Sequence, residues 1–290
     1  MKIAGAPISW GVCEVPGWGY QLAPERVLGE MRDVGLSATE LGPEGFLPSD
    51  PADLTRLLDS YGLGCVGAFA PVLLHDDTHD PLSDIAAPLE ALLACGAEVL
   101  VLAAATGTDG YDSRPTLDDS QWATLLSNLN RLAMAASNRG VTAVLHPHVG
   151  TMVETRSDVD RVLDGSAIAL CLDTGHLLIG GTDPLQLARE VPDRIAHAHL
   201  KDVDAALAGR VRAGELTYTE AVRRGMYTAL GAGDVDIAGI VTALRSSGFD
   251  GWFVMEQDTI LDGEPVDDGP VRDVRSSVAF MHDVCRQVPA

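Results

Sequence analysis

The amino-acid sequence predicts a single (β/α)8 barrel, and three observations support this fold class. Eight short apolar segments alternate with amphipathic ones, as expected for strands that are buried on both faces and covered by helices. The 290 residues give roughly 36 residues for each strand–helix unit, which is a normal size for such a barrel. Polar residues follow the ends of four predicted strands, where the mouth of a barrel would collect them. We therefore expect one barrel domain that spans residues 1–290.

The predicted elements follow one another in order along the chain. The apolar runs that predict strands lie at 3–8, 38–41, 65–69, 99–102, 142–145, 167–172, 195–200 and 252–255. The patterns that predict helices lie at 24–34, 53–61, 81–95, 122–132, 157–163, 184–190, 237–246 and 271–285. In the first of these, Val27, Leu28, Met31 and Val34 share one helical face, as in a helix that packs on a sheet. A doubly wound sheet is the alternative fold, but no GxGxxG motif follows the first strand.

The composition limits the classes of partner. The chain has 42 acidic and 20 basic residues and a formal net charge of −22, so its surface repels nucleic acid and anionic membranes. No run approaches the ~20 apolar residues of a membrane helix, and the first residues lack the apolar stretch of a signal peptide. Five scattered cysteines without a CxxC pair predict neither a disulfide framework nor a zinc knuckle. We expect a cytoplasmic protein that acts on a small molecule.

Polar segments close the last four predicted strands. Their candidate functional residues are His146, His148, Asp173, His176, His197, His199, Lys201 and Glu256. Each could have a purely structural role when it is taken alone, such as a packed histidine, a helix N-cap or a capping carboxylate. Together, however, two imidazoles and two carboxylates at four consecutive strand ends form a mixed nitrogen and oxygen ligand set. Such a set suits Mn²⁺, Co²⁺, Zn²⁺ or Mg²⁺.

Three further features leave alternatives open. Trp10 and Trp18 follow the first predicted strand, and either could pack in the core or against the C–H face of a sugar ring. His75 and His79 are expected in a solvated loop after the third strand. The long charged segment 202–227 predicts a helical insertion that forms part of a lid or a contact between subunits of a homo-oligomer.

Several of these motifs also carry a family resemblance. The sequence resembles the xylose-isomerase-like barrels and, within them, the inosose (2-keto-myo-inositol) dehydratase family. The segments that carry this resemblance are Ala6–Trp10, Glu40–Gly42, His146–Thr151, Asp173–Leu177, His197–Asp202, Leu230–Asp236 and Glu256–Asp258. The Asp-Thr-Gly-His and His-x-His-Leu-Lys-Asp motifs are typical of the superfamily, whereas His-x-His-x-Gly-Thr points to the dehydratase branch.

The resemblance implies a set of site residues. It implies metal ligation by Asp173, His199 and Glu256, and His146 stands where related epimerases usually supply a glutamate that is both ligand and base. Mn²⁺ is the expected ion, with Co²⁺, Mg²⁺ and Zn²⁺ as alternatives. We expect proton transfer by Glu256, His176 and Lys201, without deciding which group is acid and which is base. The residues expected to contact substrate are Trp10, Glu40, His148 and His176.

These expectations favour a metal-dependent lyase that dehydrates a cyclic polyhydroxy ketone through an enediolate. The main alternative is an isomerase or epimerase that uses the same metal site. His146 in place of the epimerase glutamate argues for dehydration, because an imidazole differs from a carboxylate as a base. A non-catalytic sugar-binding barrel would not need a metal. A metal-dependent endonuclease would need a basic face, which a net charge of −22 opposes.

Overall fold

A computed structural model, which describes residues 1–287, contains a closed barrel of eight parallel strands. The strands are β1 (Lys2–Gly5), β2 (Ala38–Glu40), β3 (Gly64–Leu73), β4 (Val99–Ala105), β5 (Thr142–Leu145), β6 (Ala169–Asp173), β7 (Ile195–Leu200), β8 (Asp202–Val203), β9 (Tyr227–Thr228) and β10 (Trp252–Met255). Around the barrel the strands follow the order β1-β10-β7-β6-β5-β4-β3-β2, and β8 and β9 form a separate antiparallel pair. The predicted barrel is thereby confirmed.

Helices surround the barrel on its outside. They are α1 (Pro24–Asp33), α2 (Pro51–Tyr61), α3 (Ala86–Cys95), α4 (Asp119–Ser137), α5 (Arg156–Gly165), α6 (Thr174–Ile179), α7 (Pro184–Glu190), α8 (Ala205–Arg212), α9 (Tyr218–Arg223), α10 (Ile237–Ser246) and α11 (Val271–Gln287). Acidic N-caps begin many of them; Asp118, for example, forms a capping box with Gln121 at the start of α4. None of the helices within residues 1–287 is both long enough and apolar enough to cross a membrane.

Several predicted boundaries were wrong, and two of them lie close to prolines. The first strand ends at Gly5 instead of continuing to residue 8, because Pro7 has no N–H to donate and begins a short 3-10 helix, Pro7–Trp10. The third strand continues to Leu73 through Pro71. A proline is tolerated there because β2 already ends at Glu40, so beyond that point β3 pairs only with β4.

The segment between β7 and α10 is the helical insertion that the sequence predicts. It contains α8 and α9, and the two short strands β8 and β9 bring its two ends together. Neither this strand pair nor the short helix α6 was predicted, because two strand residues and six helix residues are too few to show a periodic pattern.

Buried side chains fill the barrel below its mouth. Small apolar clusters occupy the interior, one around Ala4, Val66 and Val254 and another around Val144 and Cys171. Because side chains alternate along a strand, the residues two positions further along lie on the same inward face. Those next positions are Asp173 at the end of β6, and His146 and Glu256 directly after β5 and β10, so the polar layer continues the apolar one towards the mouth.

Asp202 holds the chain segment that leads into α10 in place through hydrogen bonds to its backbone. Its carboxylate lies in the interior and accepts hydrogen bonds of 2.8–3.0 Å from the backbone N–H groups of Val203, Gly231, Gly233 and Val235. The approach at Gly233 is so close that a Cβ there would lie 2.3 Å from the Oδ1 atom of Asp202. The loop therefore depends on both the buried carboxylate and the glycine.

This arrangement generates a stability prediction. Asp202→Asn replaces one accepting oxygen by an NH₂ group that faces backbone donors, so we expect the free energy of unfolding to fall by about 3 kcal/mol. Asp204→Asn is the matched control, because Asp204 is the N-cap of α8 and asparagine caps helices equally well. Chemical denaturation measures both variants. Equal stability of the two would contradict the role given to Asp202.

Candidate active site

Neighbouring strand ends bring four of the predicted metal ligands to the barrel mouth. His146 follows β5, Asp173 ends β6, His199 lies on β7 and Glu256 follows β10, and these four strands are adjacent in the barrel. The register pairs Asp173 with His199 across β6 and β7. All four side chains are at most 7% exposed.

Three of these residues form one compact cluster of donor atoms. Asp173, His199 and Glu256 each contribute one nitrogen or oxygen within 4.8 Å of the others. The Nδ1 atom of His199 lies 3.1 Å from Oε2 of Glu256 and 3.8 Å from Oδ2 of Asp173. Despite these distances Nδ1 is buried without a hydrogen-bond partner. An unpartnered imidazole nitrogen between two carboxylates fits a divalent cation.

Glu40 orients the imidazole of His199 from the other side. Its Oε1 atom lies 2.8 Å from Nε2 of His197 and 3.0 Å from Nε2 of His199. Although burial opposes the charge, the two imidazoles lower the pKa of Glu40 to about 2. A carboxylate that accepts the Nε2 proton of His199 leaves Nδ1 of that ring free as a ligand. Glu40 borders the cleft, and its Oε1 atom is committed to these two histidines.

His146 contacts the carboxylate of Asp173 beside this cluster. Its Nε2 atom lies 3.0 Å from Oδ2 of Asp173, and burial lowers the pKa of the His146 ring. Oδ1 of Asp173 accepts the backbone N–H groups of Gly175 and His176, so this residue also serves as the N-cap of α6. The N-cap and the ligand interpretations of Asp173 are therefore compatible, since each oxygen has its own partners.

Lys201 extends its ammonium into the same polar layer. The Nζ atom lies 2.6 Å from Oδ1 of Asp258, 2.9 Å from Nε2 of His176 and 3.1 Å from Oε2 of Glu256. The three hydrogens of an ammonium can satisfy these three acceptors. Burial opposes the charge, but the nearby carboxylates of Asp258, Glu256 and Asp173 raise the pKa of Lys201 well above its ordinary value.

The carboxylate of Glu256 and the imidazole of His199 stabilise each other's charge. Burial disfavours both ions. Even so, His199 and Lys201 hold the pKa of Glu256 well below its usual range. Cys171, Glu256 and Glu40 together raise the pKa of His199 well above its usual range. A cation held by this cluster would replace the proton that Nδ1 of His199 otherwise carries.

The structure does not bring His176 to the surface of the cleft, so the expected substrate contact of this residue is not supported. Its ring is 1% exposed and lies behind His148, with the two ring centroids 3.7 Å apart. His148 and Lys201, in contrast, both line the cleft. Burial and the neighbouring His148 and Lys201 hold the pKa of His176 well below its usual value. The short helix α6 places the ring against Tyr218 and Tyr227 of the insertion.

Trp10 also lies away from the cleft. It is fully buried in the main apolar core, and its Nε1 atom donates a hydrogen bond of 2.7 Å to Glu30 on α1. The 3-10 helix that begins at Pro7 turns this side chain outward towards α1. The tryptophan that lines the cleft is Trp18, and with Phe69 and Tyr111 it supplies an aromatic wall.

The cleft has a cavity volume of about 60 Å³ and opens to solvent. Its polar side is lined by Glu40, His146, His148, His199, Lys201, Glu256 and Asp258, and its other side is largely apolar and aromatic. A hydrogen bond from the Tyr111 hydroxyl to Glu14 crosses the mouth. One face rich in donors and acceptors opposite an aromatic face suits a polyhydroxylated ring.

Sequence reasoning missed three residues of this site. Asp258 holds Lys201, while Tyr218 and Tyr227 surround His176 from the insertion. Asp258 had a usable signal, because it lies two residues beyond Glu256 and so continues the same inward face. The two tyrosines had none, since their positions depend on how the insertion folds back. His75, His79 and His282 lie outside the cleft lining, and His282 is exposed on α11.

Comparison with known proteins agrees with the geometry. Residues 28–283 match the family model of the xylose isomerase-like TIM barrel. An inosose dehydratase of Geobacillus kaustophilus is 34% identical over 268 residues, which cover 88% of this chain and 86% of that protein. An inosose dehydratase of Lacticaseibacillus casei is 33% identical, with 88% and 89% covered. The rhizopine catabolism protein MocC of Rhizobium meliloti is 34% identical, with 88% and 81% covered.

Solved structures share the fold at lower sequence identity. The IolI protein, solved with a zinc atom, has a TM-score of 0.71 at 15% identity, and the match covers both chains completely. An L-ribulose 3-epimerase has a TM-score of 0.69 at 17% identity, with 99% of this chain and 95% of the other covered. The chain belongs to the xylose isomerase-like TIM barrels and, within them, to the inosose dehydratase family of enzymes.

Proposed function

We propose that this protein is a divalent-metal-dependent hydro-lyase that removes water from a cyclic polyhydroxy ketone such as 2-keto-myo-inositol. The observation that carries the proposal is the contact between the donor cluster of Asp173, His199 and Glu256 and the ammonium of Lys201. Such an arrangement offers a cation site, a proton acceptor and a proton donor within one cleft. The relatives named inosose dehydratase support the choice of ring and reaction.

The proposed ion is held by Asp173, His199 and Glu256, with His146 as a fourth ligand. Mn²⁺ is the ion that we propose for this mixed nitrogen and oxygen set, with Co²⁺, Mg²⁺ and Zn²⁺ as alternatives. When bound, the ion supplies Lewis acidity that lowers the cost of removing a proton next to the carbonyl. Glu40 keeps Nδ1 of His199 available for this role by accepting the proton on Nε2.

The protein side chains carry the proton from carbon to oxygen. In this proposal the carboxylate of Glu256 accepts the proton from the carbon beside the carbonyl. Lys201 donates a proton to the hydroxyl on the next carbon, which leaves as water. The substrate thus loses one hydrogen and one hydroxyl. The 3.1 Å contact between Oε2 of Glu256 and Nζ of Lys201 then returns the proton and restores both groups. His176 supports Lys201 from behind and does not touch substrate.

One prediction of this proposal concerns the metal content of two site variants and one control variant. We expect wild-type protein to retain about one divalent ion per chain after dialysis and Asp173→Ala to lose it, because one of few ligands is removed. Glu256→Gln should lose it too, and this second variant leaves the N-cap of α6 intact. Asp183→Asn, at the exposed N-cap of α7, is the control and should keep the ion. Elemental analysis measures all four proteins. Retention of the ion by both site variants would contradict the proposed ligands.

The reaction prediction separates dehydration from epimerisation. Metal-loaded protein incubated with 2-keto-myo-inositol in deuterium oxide should yield a product that has lost one water. One reason is that Lys201 can donate a proton to the departing hydroxyl. The other is that His146 takes the place of the second carboxylate that an epimerase would use as a base. Mass spectrometry distinguishes the products. A deuterium-labelled stereoisomer that keeps all its oxygens, formed without loss of water, would contradict the proposed function.

A further inference from the structure

Two buried tyrosines of the insertion have no role in the proposed reaction. Tyr218 lies on α9 and Tyr227 on β9, and they are 2% and 4% exposed. Neither lines the cleft. Their hydroxyls face each other at 3.0 Å in the interior, close to His176 and Asp258. Two buried hydroxyls next to an ionised lysine and aspartate need a physical reason, because buried polar groups are costly unless they are bonded.

The contacts form a closed ring of five side chains. Nζ of Lys201 contacts Nε2 of His176 at 2.9 Å, and Nδ1 of His176 lies 3.4 Å from the hydroxyl of Tyr227. The Tyr227 hydroxyl contacts that of Tyr218, which in turn bonds to Oδ2 of Asp258. Oδ1 of Asp258 closes the ring at 2.6 Å from Nζ of Lys201.

The chemistry of the groups fixes the direction of every hydrogen bond in this ring. An ammonium has only donors, so Nε2 of His176 accepts from Lys201 and the ring proton of this imidazole is on Nδ1. Nδ1 therefore donates to the Tyr227 hydroxyl, which donates to Tyr218, which donates to the carboxylate of Asp258. Burial, reinforced by the charge of Asp258, raises the pKa of both phenols well above the ordinary value, so both keep their protons. Every donor in the ring then has one acceptor.

We propose that Tyr218 and Tyr227 are positioning residues that complete this ring and thereby hold the ammonium of Lys201 against the cleft. Two of the three ammonium hydrogens are directed to Asp258 and His176, which leaves the third for Glu256 or for a substrate hydroxyl. Without the Tyr218 hydroxyl, Asp258 loses a hydrogen bond that fixes its orientation, and without the Tyr227 hydroxyl, His176 does. In either case the ammonium of Lys201 is no longer held in one position. The inference rests on the proposed function for the role of Lys201, but the ring itself does not depend on it.

The kinetic test uses phenylalanine, which keeps each aromatic ring and removes only the hydroxyl. We expect Tyr218→Phe and Tyr227→Phe each to lower kcat about tenfold, the scale of a lost outer hydrogen bond. KM should change by less than about twofold, because neither hydroxyl reaches the cleft. The double variant should lose about as much as one single variant, since either change opens the same ring. Tyr61→Phe, on α2 against Arg32, is the control and should retain wild-type kcat.

A second measurement is independent of activity. Nitrogen-15 NMR of histidine-labelled, metal-free protein should show His176 with its proton on Nδ1, and His176→Gln assigns the signal. In Tyr227→Phe the Hδ1 proton should exchange faster with solvent, because it has lost its acceptor. Unchanged kcat in both single variants, multiplied losses in the double variant, or a His176 proton on Nε2 would each overturn the inference. If wild-type protein does not dehydrate the ketone, the proposed function fails, and the NMR result alone decides on the ring.

Discussion

Charge balance inside the barrel is the constraint on which the rest of the site depends. Four carboxylates, those of Glu40, Asp173, Glu256 and Asp258, lie buried at the mouth, and the last three surround the ammonium of Lys201. Each buried anion must be hydrogen-bonded or paired with a cation, because an unpaired one would cost several kcal/mol. Histidine side chains provide hydrogen bonds to two of these carboxylates, those of Glu40 and Asp173. The ammonium of Lys201 and a protonated His199 together do not offset four carboxylates. A divalent cation between Asp173, His199 and Glu256 would replace the proton of His199 and add positive charge.

The same constraint links the insertion to the chemistry of the barrel. Asp202 follows Lys201 directly, and its carboxylate accepts hydrogen bonds from four backbone N–H groups. The chain on both sides of the insertion is therefore held next to the site. The insertion in turn returns Tyr218 and Tyr227 to Asp258 and His176. The insertion, which lies between β7 and α10, therefore completes the hydrogen bonds of one buried carboxylate and one buried imidazole. This is why its hydroxyls are directed inward although they do not reach the cleft.

Sequence reasoning succeeded where the pattern is periodic and failed where packing decides. Strand runs such as Thr142–Leu145 and Ile195–Leu200 were predicted to the residue, because a short, mostly apolar run between two helical patterns is typical of a strand that helices cover. The strand ends also predicted that His146, Asp173, His199 and Glu256 would lie close together. Trp10 and His176 lie outside the cleft lining because a 3-10 turn and a short helix, which no period reveals, direct their side chains elsewhere. Tyr218 and Tyr227 could not be found, since their hydrogen bonds join residues up to 51 positions apart in the sequence.

The central claim is that one cation completes the buried charge cluster, and anomalous diffraction tests it most directly. Crystals of Mn²⁺-loaded protein would be measured above and below the manganese absorption edge. We expect a single strong anomalous peak within bonding distance of Asp173, Glu256 and the Nδ1 atom of His199, with Nε2 of that ring still bonded to Glu40. A peak bound to other residues, a peak at Nε2 of His199, or no peak in the barrel would contradict the account.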